Sequence, residues 1–157
     1  MITAHFPSGY VLSRLAGWQK AMLAAGMVGA VWPDLDLIFF YLVDDRAFHH
    51  HRYWVHAPAF AVLVTAVLAA LVRLLRPEIM GVVLAFGLGW GLHLILDSLA
   101  GDIMWLWPMS NALYALFSVP ATQDHWMLSF ILHWTFLAEL IIWVAALWLW
   151  LRRETAT

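Results

Sequence analysis

The 157-residue chain contains no cysteine, and this absence excludes disulfide bonds and thiolate metal ligands. Any metal ion bound by the chain must therefore be held by nitrogen and oxygen donors from histidine, aspartate or glutamate. The sequence has 8 histidines and 10 acidic residues that could supply such donors.

Charged residues are also scarce, at 11% of the chain, whereas soluble domains carry about 25%. The formal net charge of -2 leaves no basic surface of the kind that binds nucleic acid. Hydrophobic residues make up 64% of the sequence, which is more than a soluble protein of this length could bury. The composition therefore predicts a membrane protein, and the length predicts a single domain over residues 1–157.

A membrane-spanning helix needs about 20 predominantly apolar residues, and four segments of the sequence meet this requirement. They cover approximately residues 21–43, 58–75, 79–99 and 126–151. The first contains the run Trp32-Pro33-Asp34-Leu35-Asp36, and proline disfavours helical geometry at the residue before it. We therefore expect an all-α, polytopic membrane helical bundle of about four transmembrane helices with a broken first span.

Lysine and arginine are unevenly distributed, and residues 98–125 contain neither. If both termini are cytoplasmic, most of the basic residues fall on the cytoplasmic side, as the positive-inside rule requires. The residues on that side are Arg14, Lys20, Arg73, Arg76, Arg152 and Arg153. The charge distribution therefore predicts a bundle with both termini inside.

Ionisable side chains within membrane spans are costly and usually face a bundle interior or a cavity. His93 and Asp97 are four residues apart, so both point to the same face of the third span. Asp34 and Asp36 would point about 200° apart on a regular helix, but the break in the first span could direct both to one place. All four lie towards the outer face, where they could share a metal ion. A polar clamp between helices and an aspartate that caps the second half-helix are the alternatives.

The loop after the first span is rich in histidine. His51 and His56 offer two imidazoles for metal binding, and Arg52 offers a guanidinium that suits phosphate or carboxylate. We expect His51 and His56 to be ligands, and the neighbouring His49 and His50 to be solvated.

Five motifs follow one another along the chain. They are His5-Phe-Pro-Ser-Gly9, Pro33-Asp34-Leu35-Asp36, His51-Arg52 followed by His56, His93-Leu-Ile-Leu-Asp97, and Trp107-Pro108. In this order and spacing they resemble the pattern of the YdjM-like family of membrane-bound metal-dependent hydrolases. The sequence departs from that pattern at Ala4, where the family usually has Thr, and at Val55 and Ala57, where it usually has Thr and Ser.

The resemblance implies a metal-dependent hydrolase of the bacterial inner (cytoplasmic) membrane. The candidate metal ligands are His5, Asp34, Asp36, His51, His56, His93 and Asp97. Such nitrogen and oxygen donors suit one or two divalent ions, of which zinc is favoured and manganese or iron are alternatives. Two ions would clamp a phosphoryl group, with Asp34 and Asp36 as catalytic residues and Arg52 on the remaining phosphate charge. The expected substrate is a phosphoester in a lipid or lipid-linked molecule.

Other functions stay open at the level of sequence. Asp34, His93, His133 and Glu139 could form an intramembrane metal-ion or proton pathway. His93 and His133 could instead bind haem, although the nearby carboxylates favour a divalent ion. A metal-binding protein without hydrolytic activity is a further alternative.

The position of His5 also has two interpretations. A cytoplasmic N-terminus would place His5 on the side opposite to the other candidate ligands. If residues 8–31 instead form a shorter, re-entrant helix, the N-terminus lies outside and His5 can join them.

Overall fold

The computed structural model describes residues 1 and 3–154, with side chains as far as Arg152. The described helices are α1 (His5–Leu15), α2 (Lys20–Val31), α3 (Leu37–Leu42), α4 (Pro58–Leu75), α5 (Met80–Asp97), α6 (Trp126–Ile131) and α7 (Phe136–Glu154). Short 3-10 turns lie at Trp32–Asp36, His50–Arg52, Trp54–His56 and Pro77–Ile79. The described residues form no β-strand, which confirms the all-α prediction.

Within the part of the chain that the structure describes, three segments are long and apolar enough to cross a membrane, namely Lys20–Leu42, Pro58–Leu75 and Pro77–Asp97. They correspond to the first three predicted spans, and the first is broken by the 3-10 turn at Trp32–Asp36, as its proline predicts. The fourth predicted span, residues 126–151, is divided between α6 and α7. Whether α7 crosses the membrane therefore stays a prediction.

The N-terminal helix α1 forms a hairpin with α2, against which it packs. The turn between them contains Gly17 at φ 70° and is flanked by Arg14 and Lys20. With 11 residues, α1 is about 16 Å long, roughly half the thickness of a bilayer core. His5 nevertheless contacts Asp97 at the C-terminal end of α5, which is the end of the bundle remote from these two basic residues.

This hairpin corrects the prediction that both termini share one side. Thr3 contacts Glu139 in the first turn of α7, whereas Arg152 lies at the other end of that helix. Arg73, Arg76 and Arg152 also lie at the helix ends remote from His5, given the direction of α4, α5 and α7. The prediction failed because Arg14 and Lys20 flank a hairpin turn, which gives the same charge distribution as the start of a full span.

Glycines allow α2 and α5 to pack closely. A Cβ atom on Gly89 would lie 2.9 Å from the backbone nitrogen of Ala30 and would overlap the carbonyl oxygen of Gly26. A Cβ atom on Gly29 would likewise overlap the carbonyl oxygen of Phe86. Small residues at such crossings are the usual basis of close helix packing in membranes. As a consequence, His93 on α5 lies beside the end of α2.

The outer faces of α4 and α7 are strongly apolar. Val62 and Leu63 on α4 are 68% and 58% exposed, and Ile141 and Val144 on α7 are 68% and 67% exposed. A soluble monomer rarely exposes contiguous apolar surface of this kind, whereas lipid hydrocarbon would cover it. The surface therefore agrees with a membrane-embedded bundle.

Residues 98–125 fold back over the end of α5. Backbone hydrogen bonds join Ile103 to Tyr114 in both directions, at 2.9 Å each. The indole nitrogen of Trp105 donates to the Ser98 hydroxyl at 2.8 Å. Trp107-Pro108, the last of the five sequence motifs, lies within this loop. The loop thus covers the end of the bundle at which the candidate ligands lie.

Candidate metal centre

Eight histidine and aspartate side chains from four parts of the chain meet at one end of the bundle. We call them the His/Asp cluster: His5, Asp34, Asp36, His50, His51, His56, His93 and Asp97. The cluster includes all seven predicted metal ligands together with His50. Six of its members are buried, and Asp34 and His50 are partly exposed.

Local backbone features position these side chains. His5 is the first residue of α1, and the 3-10 turn at Trp32–Asp36 brings Asp34 and Asp36 to one side of the broken span. Pro58 begins α4 and requires an extended residue before it, which is satisfied at Ala57 with φ -96° and ψ 122°. Because the chain turns there, His56 faces the bundle instead of continuing α4.

Asp97 lies between imidazoles of two other segments and of its own helix, α5. Its Oδ1 atom is 3.1 Å from Nε2 of His5, and its Oδ2 atom is 3.0 Å from Nε2 of His93. The same Oδ2 atom is 3.5 Å from Nε2 of His51 and 3.9 Å from Nε2 of His56. A carboxylate in this position could bridge two metal ions.

The donors fall into two groups, and within each group the ligand atoms lie within 4.8 Å of one another. The first group consists of His5, Asp34, His93 and Asp97. The second consists of His50, His51 and His56, and Asp36 adjoins it. The Oδ2 atom of Asp36 is 2.9 Å from Nδ1 of His56, and its Oδ1 atom is 3.8 Å from Nδ1 of His50.

Backbone carbonyls orient two of the imidazoles. Nδ1 of His93 donates to the Ala30 carbonyl oxygen at 2.8 Å, and Nδ1 of His51 donates to the Gly101 carbonyl oxygen. A carbonyl can only accept, so Nδ1 carries a proton in both rings, and the lone pair of a neutral ring is then on Nε2. This arrangement of an outer acceptor and an inward Nε2 is typical of histidine ligands.

Several buried polar atoms of the cluster lack a hydrogen-bond partner among the described residues. They are Nδ1 of His5, His50 and His56, both carboxylate oxygens of Asp36, and Oδ2 of Asp97. Each such atom costs about 1–3 kcal/mol when it is left unsatisfied. The neighbours of these atoms are close, but their geometry does not form hydrogen bonds, as at the 2.9 Å contact of Asp36 with His56.

Divalent cations bound to the two groups would satisfy the unpartnered carboxylate oxygens of Asp36 and Asp97. Nε2 of His56 and Nε2 of His93 are 3.3 Å apart. The two donor groups are therefore in direct contact with each other. The α-amino group of Met1 contacts Oδ1 of Asp97, so a positive charge already lies against this carboxylate. The donor set therefore fits a divalent metal.

The loop histidines are in the protonation state that metal binding requires. Burial lowers the pKa of His51 to about 3, and burial together with the neighbouring His49 lowers the pKa of His50 to about 4. Both imidazoles are therefore neutral at pH 7 and can offer a nitrogen lone pair to a metal ion.

A cavity of about 620 Å³ opens onto the cluster. Asp34, His50 and His51 contribute polar groups to its wall, and Arg46 contributes a guanidinium. The more apolar wall residues include Leu37, Phe40, Tyr41, Val119, Trp126 and Phe130. The cavity thus combines the metal donors with a cation and with an apolar surface.

The structure differs from the sequence predictions at two of these residues. Arg52 is exposed and is not among the described residues of the cavity wall, whereas Arg46 is. His50 joins the donors, whereas His49 is exposed, as expected. Three consecutive histidines in the sequence carry no signal that distinguishes them, because the short 3-10 turn determines which of them faces inward.

His133 and Glu139 lie outside the cluster. Nδ1 of His133 is 2.9 Å from the hydroxyl oxygen of Thr135. His93, the proposed haem partner of His133, instead contacts His56 and Asp97, so the two histidines do not form a haem-binding pair. Glu139 accepts hydrogen bonds from Thr3.

A family model described as YdjM inner membrane protein matches residues 1–155 of the chain. No curated protein and no solved structure matches it. The family match covers all five sequence motifs and extends through α7.

Proposed function

The chain belongs to the YdjM inner membrane protein family, and we propose that it is a metal-dependent hydrolase that cleaves a phosphoester in a lipid or lipid-linked substrate. The observation that carries this proposal is the His/Asp cluster, which adjoins an open cavity and has several buried polar atoms without a hydrogen-bond partner among the described residues. Structural histidines and aspartates in a membrane bundle would be expected to satisfy one another.

In the proposed centre, the group of His5, Asp34, His93 and Asp97 holds one ion. The second group, His50, His51 and His56 with Asp36, holds another, and Asp97 contacts both groups. A divalent ion bound there would supply Lewis acidity towards a phosphoryl group and towards water. Zinc is the preferred ion because imidazole and carboxylate donors at these separations suit its geometry.

The chain itself supplies the remaining chemistry. Asp34 has a side chain that is 22% exposed and lines the cavity, so it can accept a proton from an attacking water molecule. Asp36 is buried between His56 and His50, and we assign it to metal binding and ligand orientation. Arg46 can hold a non-reacting phosphate oxygen, as a guanidinium does through paired hydrogen bonds.

The cavity wall supports a lipid or lipid-linked substrate. Phe40, Tyr41, Trp126 and Phe130 surround the polar donors with aromatic surface, which can contact the apolar part of an amphiphile. Arg14, Lys20, Arg73, Arg76 and Arg152 lie at the opposite end of the bundle, so the positive-inside rule favours a cluster near the outer face of the inner membrane. A headgroup could then reach the cavity from the outer leaflet.

An ion or proton pathway receives less support. It predicts that Asp34, His93, His133 and Glu139 line one continuous route. His133 is instead paired with Thr135, and Glu139 is paired with Thr3. The cluster lies at one end of the bundle, which favours a pocket over a path across it.

The proposal is tested by hydrolysis assays on detergent-purified protein reloaded with zinc or manganese. Two probes, bis-p-nitrophenyl phosphate and mixed micelles of a fluorescent anionic phospholipid, separate phosphoester chemistry from lipid recognition. We expect metal-dependent cleavage of the phospholipid, and its loss in Asp34→Asn. His125→Asn is a matched control, because His125 is exposed and asparagine can replace it as a helix N-cap. Stoichiometric metal without cleavage of either probe would refute the hydrolase and leave the metal centre standing.

A further inference from the structure

Glu139 is a fully buried carboxylate on α7, outside the described metal-donor groups. Its Oε2 atom accepts two hydrogen bonds from Thr3, one from the backbone nitrogen at 2.8 Å and one from the hydroxyl at 2.6 Å. Trp143 is one helical turn further along α7, and its indole nitrogen donates to the same hydroxyl at 3.1 Å. Two side chains of α7 thus bind a single residue of the N-terminal segment.

Thr3 lies close in the sequence to His5, one of the proposed metal ligands. Thr3 is two residues before His5, and the intervening Ala4 is the fully buried N-cap of α1. A residue bound through both its backbone and its side chain has little freedom to move. The hydrogen bonds from Thr3 therefore fix the position at which α1 begins, and with it the Cα atom of His5.

His5 needs this support more than the other imidazoles do. Nδ1 of His93 and Nδ1 of His51 are each held by a backbone carbonyl, whereas Nδ1 of His5 has no hydrogen-bond partner among the described residues. The His5 ring stacks on His93 with centroids 3.8 Å apart, a contact that permits sliding and rotation in the plane. Apart from the 3.1 Å contact of Nε2 with Oδ1 of Asp97, the position of the His5 ring therefore depends on where α1 begins.

We propose that Glu139 is a positioning residue that acts through Thr3 to hold Nε2 of His5 beside Asp97. In this role α7 tightens metal binding by the group of His5, Asp34, His93 and Asp97, and it contributes no ligand. The five sequence motifs end at Pro108, so they assign nothing to α7. The inference rests on the proposed metal centre, but it does not depend on which substrate is hydrolysed.

The test uses the full-length protein in detergent and follows Co²⁺ binding by equilibrium titration and by the visible absorption of the bound ion. Glu139→Leu removes the acceptor and leaves an apolar residue that a membrane helix accommodates. Glu139→Gln and Thr3→Ser are matched controls, because each keeps the groups that form both hydrogen bonds. Thr3→Val removes the hydroxyl, which donates to Glu139 and accepts from Trp143, but it keeps the backbone donor, so it provides a second, milder variant.

We expect His5→Ala to weaken one cobalt-binding equivalent, and Glu139→Leu to weaken the same equivalent about tenfold, the lower range for loss of a group that orients a ligand. Thr3→Val should have a smaller effect in the same direction, whereas Glu139→Gln and Thr3→Ser should bind cobalt like the wild type. In the His5→Ala background, Glu139→Leu should cause no further loss, because the ligand that it positions is already gone.

A purely structural role predicts different results. Glu139→Leu would then weaken all bound cobalt in parallel, or would add its full effect to that of His5→Ala, and either result would overturn the inference. If Glu139→Leu does not fold, a Thr3→Val protein with unchanged cobalt affinity would overturn it as well. Absence of stoichiometric cobalt from the wild type would instead refute the proposed metal centre.

Discussion

Replacing Gly89 by alanine tests whether close packing of α2 and α5 positions the metal donors. The new Cβ atom would lie 2.9 Å from the Ala30 nitrogen and overlap the Gly26 carbonyl oxygen, so backbone must move against backbone. The carbonyl of the same Ala30 holds Nδ1 of His93 at 2.8 Å. A separation of the helices by about 1 Å would take this contact beyond hydrogen-bond range.

The expected loss of stability follows from these contacts. Overpacking costs about 1–3 kcal/mol, and loss of the His93 hydrogen bond costs about 0.5–1.5 kcal/mol. Alanine returns about 1 kcal/mol, because it is a better helix former than glycine. We therefore expect Gly89→Ala to lower the free energy of unfolding by about 0.5–3.5 kcal/mol. Its metal affinity should fall about tenfold or more, because His93 loses the acceptor that orients it.

Gly91→Ala is the matched control on the same helix. A Cβ atom on Gly91 meets no other atom within 4 Å, so this variant should be as stable as the wild type or more stable by up to about 1 kcal/mol. Thermal unfolding in detergent and zinc titration compare the two variants. The reasoning is refuted if Gly89→Ala and Gly91→Ala show the same midpoint and the same zinc affinity.

Three further predictions concern the cavity and the loop histidines. Arg46→Ala should lower kcat/KM for the anionic phospholipid about tenfold or more, with unchanged metal content, whereas Arg52→Ala should have little effect. Equal effects of the two substitutions in kinetic assays would count against Arg46 as the anion site. His50→Ala should weaken zinc binding in titrations, whereas His49→Ala should not, and the reverse order would disprove the assignment of His50 as a donor. The pKa of His50 is about 4 and that of His51 about 3, both below 6.5, so the unfolded chain takes up protons first as the pH falls. Metal-free protein should therefore lose stability as the pH drops from about 6.5 towards 4, and a flat profile of thermal midpoints would argue against their burial as neutral groups.

The positions of the spans could be predicted because the length of an apolar run is a local property of the sequence. The bounds Lys20–Leu42 and Pro58–Leu75 agree closely with the predicted segments. The division between α6 and α7 could not be predicted in this way. Residues 126–151 are predominantly apolar and contain neither glycine nor proline, so no helix-breaking residue marks the turn before Phe136.

Cluster residues could be predicted from the sequence where an ionisable side chain lies within an otherwise apolar span. Asp34, His93 and Asp97 are conspicuous because they interrupt apolar spans. His50 and Arg46 lie in a polar loop, where such residues are common. Their positions depend on the 3-10 turn at residues 50–52 and on the positive φ of 60° at Arg46, which are consequences of how the loop packs on the bundle.

The distribution of basic residues near the N-terminus is compatible with two folds, which place His5 on different sides of the membrane. Arg14 and Lys20 satisfy the positive-inside rule both as the flank of a full span and as the flank of a hairpin turn. The packing of α1 on α2, which Gly9 allows, identifies the hairpin as the fold that forms. A Cβ atom on Gly9 would lie 2.8 Å from the Ala30 Cβ, so this close approach depends on a residue without a side chain.

The central claim is that the His/Asp cluster binds metal, and the most direct test is the metal content of detergent-purified protein after washing and reloading with zinc or manganese. We predict one or two ions per chain in the wild type and in His125→Asn. In Asp97→Asn we predict a marked loss, because Asp97 contacts both donor groups. A wild-type protein without stoichiometric metal, or an Asp97→Asn variant with the full wild-type content, would contradict the account.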